Sequence, residues 1–348
     1  MEKKTHEISD LILAANARIK SGRFEEALEK TSKILAIAPK DYLGLTLHAK
    51  ALRRLGRTED SLKFFSEAFN AHLLRLDDLH QFAIALLRSD QLKDAEKHFR
   101  LVQEKAEVYL NEAREFGNYA RFILEDRKIA EVKVDGDVLY FHVYPGRENH
   151  GEGIVHANGK LRELEELRFI RQKVAPNGVI VDVGANIGNH LIYFAKFLKP
   201  QLLVPIEPSG EAVRQLRENI ALNKIDCVDD RYLGMGAGDK RQKAALKKTT
   251  ELVTYALVPS AAGELEVFPL DDLIKSPVHF IKIDVEGMEL DVLRGAKKLL
   301  SRWKPQVMIE VADNNAERFG RLLNEIEYSV EHHFPGAGYQ NYFIVPRA

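Results

Sequence analysis

The sequence is poor in cysteine: Cys227 is the only one in 348 residues. A single cysteine excludes an intramolecular disulfide and any zinc site built on several cysteines. An excess of charge of one sign is also missing, since 51 basic residues face 52 acidic ones and the formal net charge is -1 at pH 7. This balance provides no global field to attract nucleic acid or an anionic membrane. We therefore expect no nucleic acid among the partners.

Long apolar runs are absent as well. No window approaches the ~20 consecutive apolar residues that a membrane helix needs, so we expect no membrane insertion. The short apolar stretch near the start carries Asn16, Arg18 and Lys20, which argues against a signal peptide and makes a cytoplasmic location the default. Hydrophobic residues make up 45% and charged residues 30% of the chain, an ordinary globular composition. The length fits roughly two domains.

The first third of the chain repeats itself at a shift of 34 residues. Small residues recur at two positions, and a turn residue recurs at a third: Ala15, Ala49 and Ala83; Ala27, Ser61 and Ala95; Gly22, Gly56 and Asp90. This period and these small residues resemble tetratricopeptide repeats. We predict three repeats over 8–109 and a capping helix over 110–128. They form an all-α solenoid domain over 1–128, with a plain helical bundle as the alternative.

The second part of the chain has a different pattern. Residues 131–144 alternate around an Asp-Gly turn, which predicts a β-hairpin; a loop over 145–153 and a helix over 161–174 follow. Strands and helices then alternate, which predicts a doubly wound α/β sheet with an antiparallel terminal hairpin, in a domain over 129–348. The predicted strands cover 179–183, 202–208, 279–285 and 305–311, and the predicted helices cover 189–198, 210–223, 288–300 and 315–326.

Acidic residues stand at the ends of the four predicted strands. They are Asp182, Glu207, Asp284 and Glu310. Ligands of doubly wound sheets bind at the carboxyl ends of the strands, so these carboxylates mark the expected site. Asp271 and Asp272, by contrast, are expected to shape a turn.

A glycine loop follows the first of these strands, in the order Asp182-x-Gly184-x-Asn186-x-Gly188. A dinucleotide fold has G-x-G-x-x-G at this place, and the acidic residue would oppose a pyrophosphate. An acidic residue here suits S-adenosylmethionine, which carries a cationic amino-acid group. The carboxylate of this cofactor can bind at the helix N-terminus, and its ribose hydroxyls can donate to Glu207. A nucleotide-free packing loop is the alternative. The predicted cofactor-binding residues are Asp182, Gly184, Asn186, Gly188, Asn189 and Glu207.

Three segments resemble the FkbM family of S-adenosylmethionine-dependent methyltransferases: VDVGANIGNH, IEPSGEAVRQLRENIALN and FIKIDVEGMELDVLRGA. The upstream VFPLDDL and the later IEV add to a resemblance that covers about 175–345. It implies the class I methyltransferase sheet, which is Rossmann-like, and methyl transfer to hydroxyl oxygens of sugars or other natural products. The repeats are not part of the family core.

The catalytic candidates are Asp284, Glu286 and Glu310. Asp284 is a base or an orienter of the acceptor hydroxyl, because methyl transfer to oxygen needs the hydroxyl held in line and its proton removed. Glu286 is either a second polar arm or a cap of the following helix. Glu310 binds a substrate hydroxyl or is merely solvated. Asp284 and Glu310 could flank a divalent ion, but no motif specifies its remaining ligands, so we predict no metal site.

We therefore predict an S-adenosylmethionine-dependent methyltransferase, with O-methylation of a sugar, a glycan or another natural product as its reaction. A non-catalytic repeat scaffold fused to a methyltransferase-like fold is the main alternative. A nucleotide-linked dehydrogenase is the second, disfavoured by Asp182 and the missing third glycine. The expected partners are a hydroxylated acceptor and, through the repeats, a protein or a second copy of the chain.

Overall fold

The computed structural model describes residues 2–71, 74–105, 110–144, 150–248 and 255–347. The chain divides into two compact units: Met1–Lys128 with Val143–Asn158, and Ile129–His142 with Gly159–Ala348. The assignment of 1–128 and 129–348 to two functional domains stays a prediction. Within the described ranges, no helix is both long enough and apolar enough to span a membrane.

The first unit is helical throughout its described residues. Antiparallel pairs follow the predicted 34-residue period, and a further helix covers the last pair. The helices are α1 (Glu2–Lys20), α2 (Phe24–Ile37), α3 (Tyr42–Arg54), α4 (Thr58–Ala71), α5 (Leu76–Arg88), α6 (Leu92–Lys105), α7 (Leu110–Leu124) and α8 (His150–Ala157). The tetratricopeptide architecture predicted from the period is confirmed.

The predicted loop over 145–153 is wrong for residues 150–153, which begin α8. This helix forms because its Ile154 side is buried in the unit and packs beside α7, where a Cβ on Gly153 would lie 3.5 Å from Tyr119. Residues 145–149 lie outside the described part of the chain.

Small side chains lie where the two helices of each pair approach each other. Ala15, Ala49 and Ala83 are completely buried, as are the equivalents in the second helix of each pair, Ala27, Ser61 and Ala95. The turn between the helices has a left-handed residue in every repeat, with φ +72° at Gly22, +75° at Gly56 and +59° at Asp90. Aspartate tolerates this conformation better than most residues, so the third repeat keeps the turn without glycine.

We expect Ala83→Leu to destabilise the first unit by about 1–3 kcal/mol, because the added carbons have no space between the paired helices. Ala36→Leu is the matched control, since Ala36 lies on an exposed position of α2 and should change the free energy of unfolding by less than about 0.5 kcal/mol. Urea unfolding followed by circular dichroism measures both. Equal stability of the two variants would contradict the close approach at Ala83.

In its described residues the second unit contains a two-stranded hairpin sheet, a larger six-stranded sheet and a small four-stranded sheet. Its strands are β1 (Ile129–Val134), β2 (Asp137–His142), β3 (Val179–Val183), β4 (Leu202–Ile206), β5 (Met235–Ala237), β6 (Gln242–Lys248), β7 (Tyr255–Pro259), β8 (Leu265–Phe268), β9 (Phe280–Ile283), β10 (Gln306–Ala312), β11 (Tyr328–Pro335) and β12 (Tyr339–Pro346). Its helices are α9 (Leu164–Lys173), α10 (Asn189–Leu198), α11 (Gly210–Leu222), α12 (Leu270–Leu273), α13 (Glu289–Arg294), α14 (Lys297–Trp303) and α15 (Ala316–Glu325). A 3-10 turn at Asp313–Asn315 leads into α15.

The larger sheet has the order β11-β12-β10-β9-β3-β4 in the described residues. Strands β4, β3, β9 and β10 are parallel, and the terminal hairpin adds β12 antiparallel to β10. The chain runs from β3 outward to β4 and later returns to β9 on the other side of β3, so the strand order reverses at β3. The predicted doubly wound sheet with its antiparallel edge is confirmed.

Alternation along the strands divides the interior of this unit into two layers. Val179, Val181 and Val183 of β3 pack on one face, in the same core as α13, α14 and α15. Ile180 packs on the other face, in the core that contains α9 and α10. The sheet therefore lies between two helical layers. A side chain at a strand end lies on the same face as the residue two positions before it.

Three features of the second unit differ from the sequence predictions. The predicted helix over 288–300 is two helices, because a Cβ at Gly295 would lie 1.9 Å from the carbonyl oxygen of Gly238, so the backbones touch at the break. The small sheet of order β5-β8-β6-β7 was not predicted. Asp271 does more than shape a turn, since its carboxylate accepts hydrogen bonds from the N–H groups of Lys298 and Leu299 in α14.

Candidate active site

The glycine loop after β3 lies directly against the end of β9. Gly184 has φ +80°, and a Cβ there would lie 1.7 Å from the carbonyl oxygen of Asp284. Its N–H donates to the carbonyl of Ile206 at 2.8 Å, which joins the loop to β4 as well. Gly188, with φ +95°, is the N-cap of α10. Only glycine fits at position 184. Because it has no side chain, the loop can contact the ends of both β4 and β9.

Glu207 is buried beside this loop. One carboxylate oxygen accepts the Asn186 N–H at 2.9 Å and the other accepts the Ser209 N–H at 2.8 Å. Burial raises the pKa of Glu207 to about 7, although these two hydrogen bonds favour the charged form. Each oxygen still has a lone pair to offer, so the backbone fixes the carboxylate in position to accept further donors.

Asp182 is completely buried, and neither of its carboxylate oxygens has a hydrogen-bond partner among the residues that the structure describes. Burial raises the pKa of Asp182, while the positive charges of Lys282 and His190 lower it. A buried polar group without a partner costs stability, so packing alone does not explain a carboxyl at this position.

The two asparagines of the loop have different surroundings. Asn186 has φ +45°, and its N–H is the donor to Glu207. Asn189 is buried, and its side-chain amide exchanges hydrogen bonds with the backbone N–H and carbonyl of Arg162 at 3.3 and 3.2 Å. The structure therefore places Asn189 as a support of the segment before α9, and its cofactor contact stays a prediction.

Strand alternation gathers the acidic strand ends on one face of the sheet. Asp182 lies two residues after Ile180, Lys282 two after Phe280 and Glu310 two after Met308, and these three apolar residues belong to the same core. Asp182 and Lys282 are also register partners in adjacent strands. The predicted residues Asp182, Asp284 and Glu310 are thus brought to the same face, at the carboxyl edge where β3, β9 and β10 end.

Lys282 lies among these carboxylates and was not predicted from the sequence. Its Nζ donates to Asp284 Oδ2 at 3.0 Å, and its side chain is only 6% exposed. Burial alone would lower the pKa of Lys282, but the charges of Asp284, Asp182 and Glu163 raise it above its ordinary value. The signal was present in the sequence as a lysine inside the apolar run FIKI, because a cation inside a buried strand needs anionic partners.

Two further candidates, Glu286 and Glu310, make no side-chain hydrogen bond to any residue in the described ranges. Glu310 is half-buried, and burial together with the charges of Asp284 and Glu286 raises its pKa to about 9. The Glu286 side chain reaches solvent, yet partial burial and the nearby charges of Asp284 and Glu289 raise its pKa to about 7. Both carboxyls therefore lie where burial and neighbouring carboxylates disfavour the charged form.

The backbone around Glu286 bears on its two predicted roles. Glu286 has φ +54° and Gly287 has φ +107°, so a non-glycine residue is held in the left-handed region, which is often found at functional sites. Glu289 accepts the N–H of Gly287 at 2.6 Å, and no side chain caps α13. This geometry favours a polar arm over a helix cap for Glu286, although its role stays a prediction.

The segment before α9 covers the same face. Glu163 has φ +56°, and its carboxylate lies 2.9 Å from His190 Nε2; His190 favours the charged form and lowers the pKa of Glu163 to about 2, against the effect of burial. Glu166 accepts from Asn341 Nδ2 at 2.9 Å. Burial and the Glu163 charge raise the pKa of Glu166 to about 7. Neither glutamate was predicted, because nothing in their spacing places α9 over the strand ends.

A ligand that fits this edge would contact two different regions. The glycine loop with Glu207 offers a carboxylate to hydroxyl donors beside a helix N-terminus, and the β9 and β10 ends offer carboxylates that can accept a proton or orient a hydroxyl. Within the described residues, His, Cys, Asp and Glu side chains form no group of three that could hold a metal ion.

The strand order reverses at β3, and doubly wound sheets bind their ligands at such a switch point. Residues 182–340 match the family model described as the methyltransferase FkbM domain. The second unit of the chain thus carries a methyltransferase domain of the FkbM family, and the resemblance seen in the three sequence segments is confirmed.

Two curated relatives share parts of the sequence. A tRNA(Phe) (4-demethylwyosine(37)-C(7)) aminocarboxypropyltransferase of Methanocaldococcus jannaschii is 39% identical over 75 residues, which is 22% of this chain and 29% of that protein. The hexuronic acid methyltransferase AglP of Haloferax volcanii is 25% identical over 175 residues, 49% of this chain and 71% of that protein. The chain therefore spans less than a third of the first relative.

Two solved structures are similar at low identity. A methyltransferase FkbM from Methylobacillus flagellatus KT superimposes with a TM-score of 0.39 at 20% identity, covering 80% of this chain and 65% of that chain. The first TPR domain of human RPAP3 superimposes with a TM-score of 0.32 at 21% identity, covering 35% of this chain and 97% of that domain.

Gly184→Ala should destabilise the second unit by more than about 4 kcal/mol, because a side chain at φ +80° would overlap the Asp284 carbonyl and force β3 from β9. Gly210→Ala is the matched control: its Cβ would meet nothing within 4 Å, and a first-turn alanine in α11 should be neutral or stabilising by up to about 1 kcal/mol. Thermal and urea unfolding of both variants test this. A Gly184→Ala protein as stable as the control would show that the two strand ends are not in contact.

Proposed function

We propose that the chain transfers a methyl group from S-adenosylmethionine to a hydroxyl oxygen, with a sugar or glycan hydroxyl as the acceptor class. The observation that carries this proposal is the Glu207 carboxylate, which the Asn186 and Ser209 N–H groups fix beside the glycine loop. A carboxylate at the end of the second strand suits the paired hydroxyls of a ribose.

The residues at the loop fit this cofactor. Asp182 contributes a buried carboxyl without a protein partner, which suits the ammonium group of an amino acid. The N-terminus of α10, after Gly188, suits a carboxylate. When bound, S-adenosylmethionine supplies an electrophilic methyl group on a sulfonium. The residues that would hold it are Asp182, Gly184, Asn186, Gly188 and Glu207. Asn189 would instead join the end of this loop to the backbone of Arg162.

The β9 and β10 ends supply what an acceptor hydroxyl needs. Asp284 could accept a hydrogen bond from the hydroxyl and take its proton, which would leave the carboxyl neutral. The methyl group supplied by the cofactor would exchange its bond to sulfur for a bond to the hydroxyl oxygen, so that the products are an ether and a neutral thioether. Glu310, with a pKa of about 9, is protonated at pH 7 and can donate as well as accept. Glu286 gives a further polar contact. Holding the hydroxyl in line with the methyl group is itself a large contribution to the rate of such a transfer.

The charge of the site bears on the acceptor. The hexuronic acid methyltransferase of Haloferax volcanii acts, by its name, on an acidic sugar. Here Glu163, Glu166, Glu286 and Glu310 stand near one another, as their mutual effects on pKa show. The raised pKa values of Glu166, Glu286 and Glu310 indicate surroundings that disfavour a further negative charge, so neutral sugars are the first acceptors to test in this chain.

The repeats support a second role in the same protein. Tetratricopeptide solenoids present extended concave surfaces, and we propose that the first unit binds a protein, an acceptor-bearing partner or a second copy of the chain. The buried Asp182 carboxyl, which has no hydrogen-bond partner among the described residues, argues against a purely non-catalytic scaffold, because an unpaired buried polar group lowers stability.

The decisive experiment is a transfer screen with methyl-labelled S-adenosylmethionine against neutral sugars, hexuronic acids, glycans and small hydroxylated metabolites. We expect label in a base-stable ether of a neutral hydroxylated acceptor. Label in an ester, in an amine or in no acceptor would overturn the O-methyltransferase proposal. Calorimetry with S-adenosylmethionine and with NAD separates the dehydrogenase alternative, which requires binding of NAD.

Glu207→Ala should weaken S-adenosylmethionine binding by about 1–3 kcal/mol, the scale of a lost hydrogen bond to a charged group. Glu317→Ala is the control, because Glu317 is 85% exposed and pairs with Arg321 across one turn of α15. Isothermal titration calorimetry on both folded variants measures the difference. Unchanged affinity in Glu207→Ala would remove Glu207 from the cofactor site.

Asp284→Asn keeps the shape of the side chain and removes its basicity. If Asp284 takes the proton, turnover should fall by about 10²–10⁴-fold with cofactor affinity retained. A smaller loss that appears partly in the acceptor KM would assign it an orienting role. Asp230→Asn, at an exposed ion pair with Arg217, is the control. Wild-type kinetics in Asp284→Asn would exclude both roles.

A further inference from the structure

Lys282 has no role in the function proposed so far, although its position is unusual. It lies inside β9 between the buried residues Ile281 and Ile283, and it is 5% exposed. Placing an ammonium group in such surroundings is costly unless it is paired and hydrogen-bonded. An apolar residue at this place would continue the strand at lower cost, so the fold of β9 alone does not require a lysine.

The partners of Lys282 are the carboxylates of the site. Its ammonium donates to Asp284 at 3.0 Å, and Asp182 and Glu163 lie close enough for their charges to act on it. Asp284 comes two residues after Lys282, on the same side of the chain and beyond the last strand residue, Ile283. Within the described ranges, this ion pair is the only hydrogen bond that the Asp284 side chain makes.

Stability does not account for the pair. Replacing a buried ion pair by apolar residues of similar volume is often neutral or stabilising, and here the lysine also leaves Asp182 without a hydrogen bond. A fixed cation has a clear effect on Asp284, however: one carboxylate oxygen, Oδ2, is held by the ammonium, whereas the other has no hydrogen-bond partner in the described part of the chain, and the side chain is 29% exposed. The rotamer of the carboxylate is thereby set before a substrate arrives.

We infer that Lys282 is a positioning residue that acts through Asp284, holding its carboxylate in the orientation in which the free oxygen meets the acceptor hydroxyl. This inference rests on the proposed function, and it adds a residue that neither the glycine loop nor the strand-end carboxylates would assign. Lys282 itself touches neither the hydroxyl nor the methyl group, so its effect should depend on Asp284.

The test is a double-mutant cycle on methyl transfer to the acceptor found in the screen. Lys282→Met removes the cation at similar length, and we expect kcat to fall by about 10–100-fold, the effect of a misplaced reactive group, with cofactor affinity changed less than about threefold. In the Asp284→Asn background the same change should have little further effect. Lys282→Arg keeps a charged donor and should recover most of kcat.

Lys297→Met is the matched control, since Lys297 pairs with Glu325 at the surface and lies outside the site; its kinetics should equal those of the wild type. If Lys282→Met does not fold, Lys282→Gln and Lys282→Arg carry the cycle, with thermal unfolding as the check. Two outcomes would overturn the inference while leaving methyl transfer established. In one, Lys282→Met lowers kcat equally in the wild type and in the Asp284→Asn background; in the other, it lowers kcat in neither. A wild-type chain that transfers no methyl group would instead overturn the proposed function, and this inference with it.

Discussion

The close approach of Gly184 to the carbonyl oxygen of Asp284 is the constraint on which the site depends. A Cβ at Gly184 would lie 1.7 Å from that oxygen, so the loop after β3 and the turn after β9 can meet only because one of them has no side chain. This contact sets the distance between the two regions that the proposed reaction must join, the cofactor loop and the acceptor carboxylates. The loop is fixed on its other side by the Gly184 N–H bond to β4.

Charge is the second constraint, and it follows from the first. Because β3, β9 and β10 end side by side with the same alternation, their last inward-facing polar residues lie on one face. Several carboxylates then share a half-buried region, where each disfavours the ionisation of the next. Among the described residues, the Lys282 ammonium pairs with Asp284, and the His190 ring lies 2.9 Å from the Glu163 carboxylate. Glu286 and Glu310 have raised pKa values, and neither side chain accepts a hydrogen bond from the part of the chain that the structure describes.

The sequence predicted those parts of the molecule that depend on local pattern. The 34-residue period, the Asp-Gly hairpin and the strand–helix alternation each arise from residues close in the chain, and the structure contains all three. The sheet of β5 to β8 was missed because its strands are short and depend on pairing across a distance. The break at Gly295 was missed for a similar reason: the Gly238 carbonyl that requires it lies more than fifty residues earlier.

The same distinction between local pattern and distant contact applies to the residues of the candidate site. Asp182, Glu207, Asp284 and Glu310 could be found because strand ends are visible in a sequence, whereas Glu163 and Glu166 depend on where α9 packs. Asn219 belongs to this second group: it is completely buried in α11, donates to the carbonyl of Ile187 at 2.9 Å and accepts the N–H of His142 at 2.7 Å.

An asparagine on the apolar side of a helix needs such partners, but the sequence does not say which backbone supplies them. In this unit the partners are the glycine loop and the last residue of β2, so one amide side chain ties the hairpin to the loop that the proposed cofactor would contact. The hairpin, which stands outside the parallel strands, therefore supports the site through α11. Its place in the sequence before β3 gives no indication of this link.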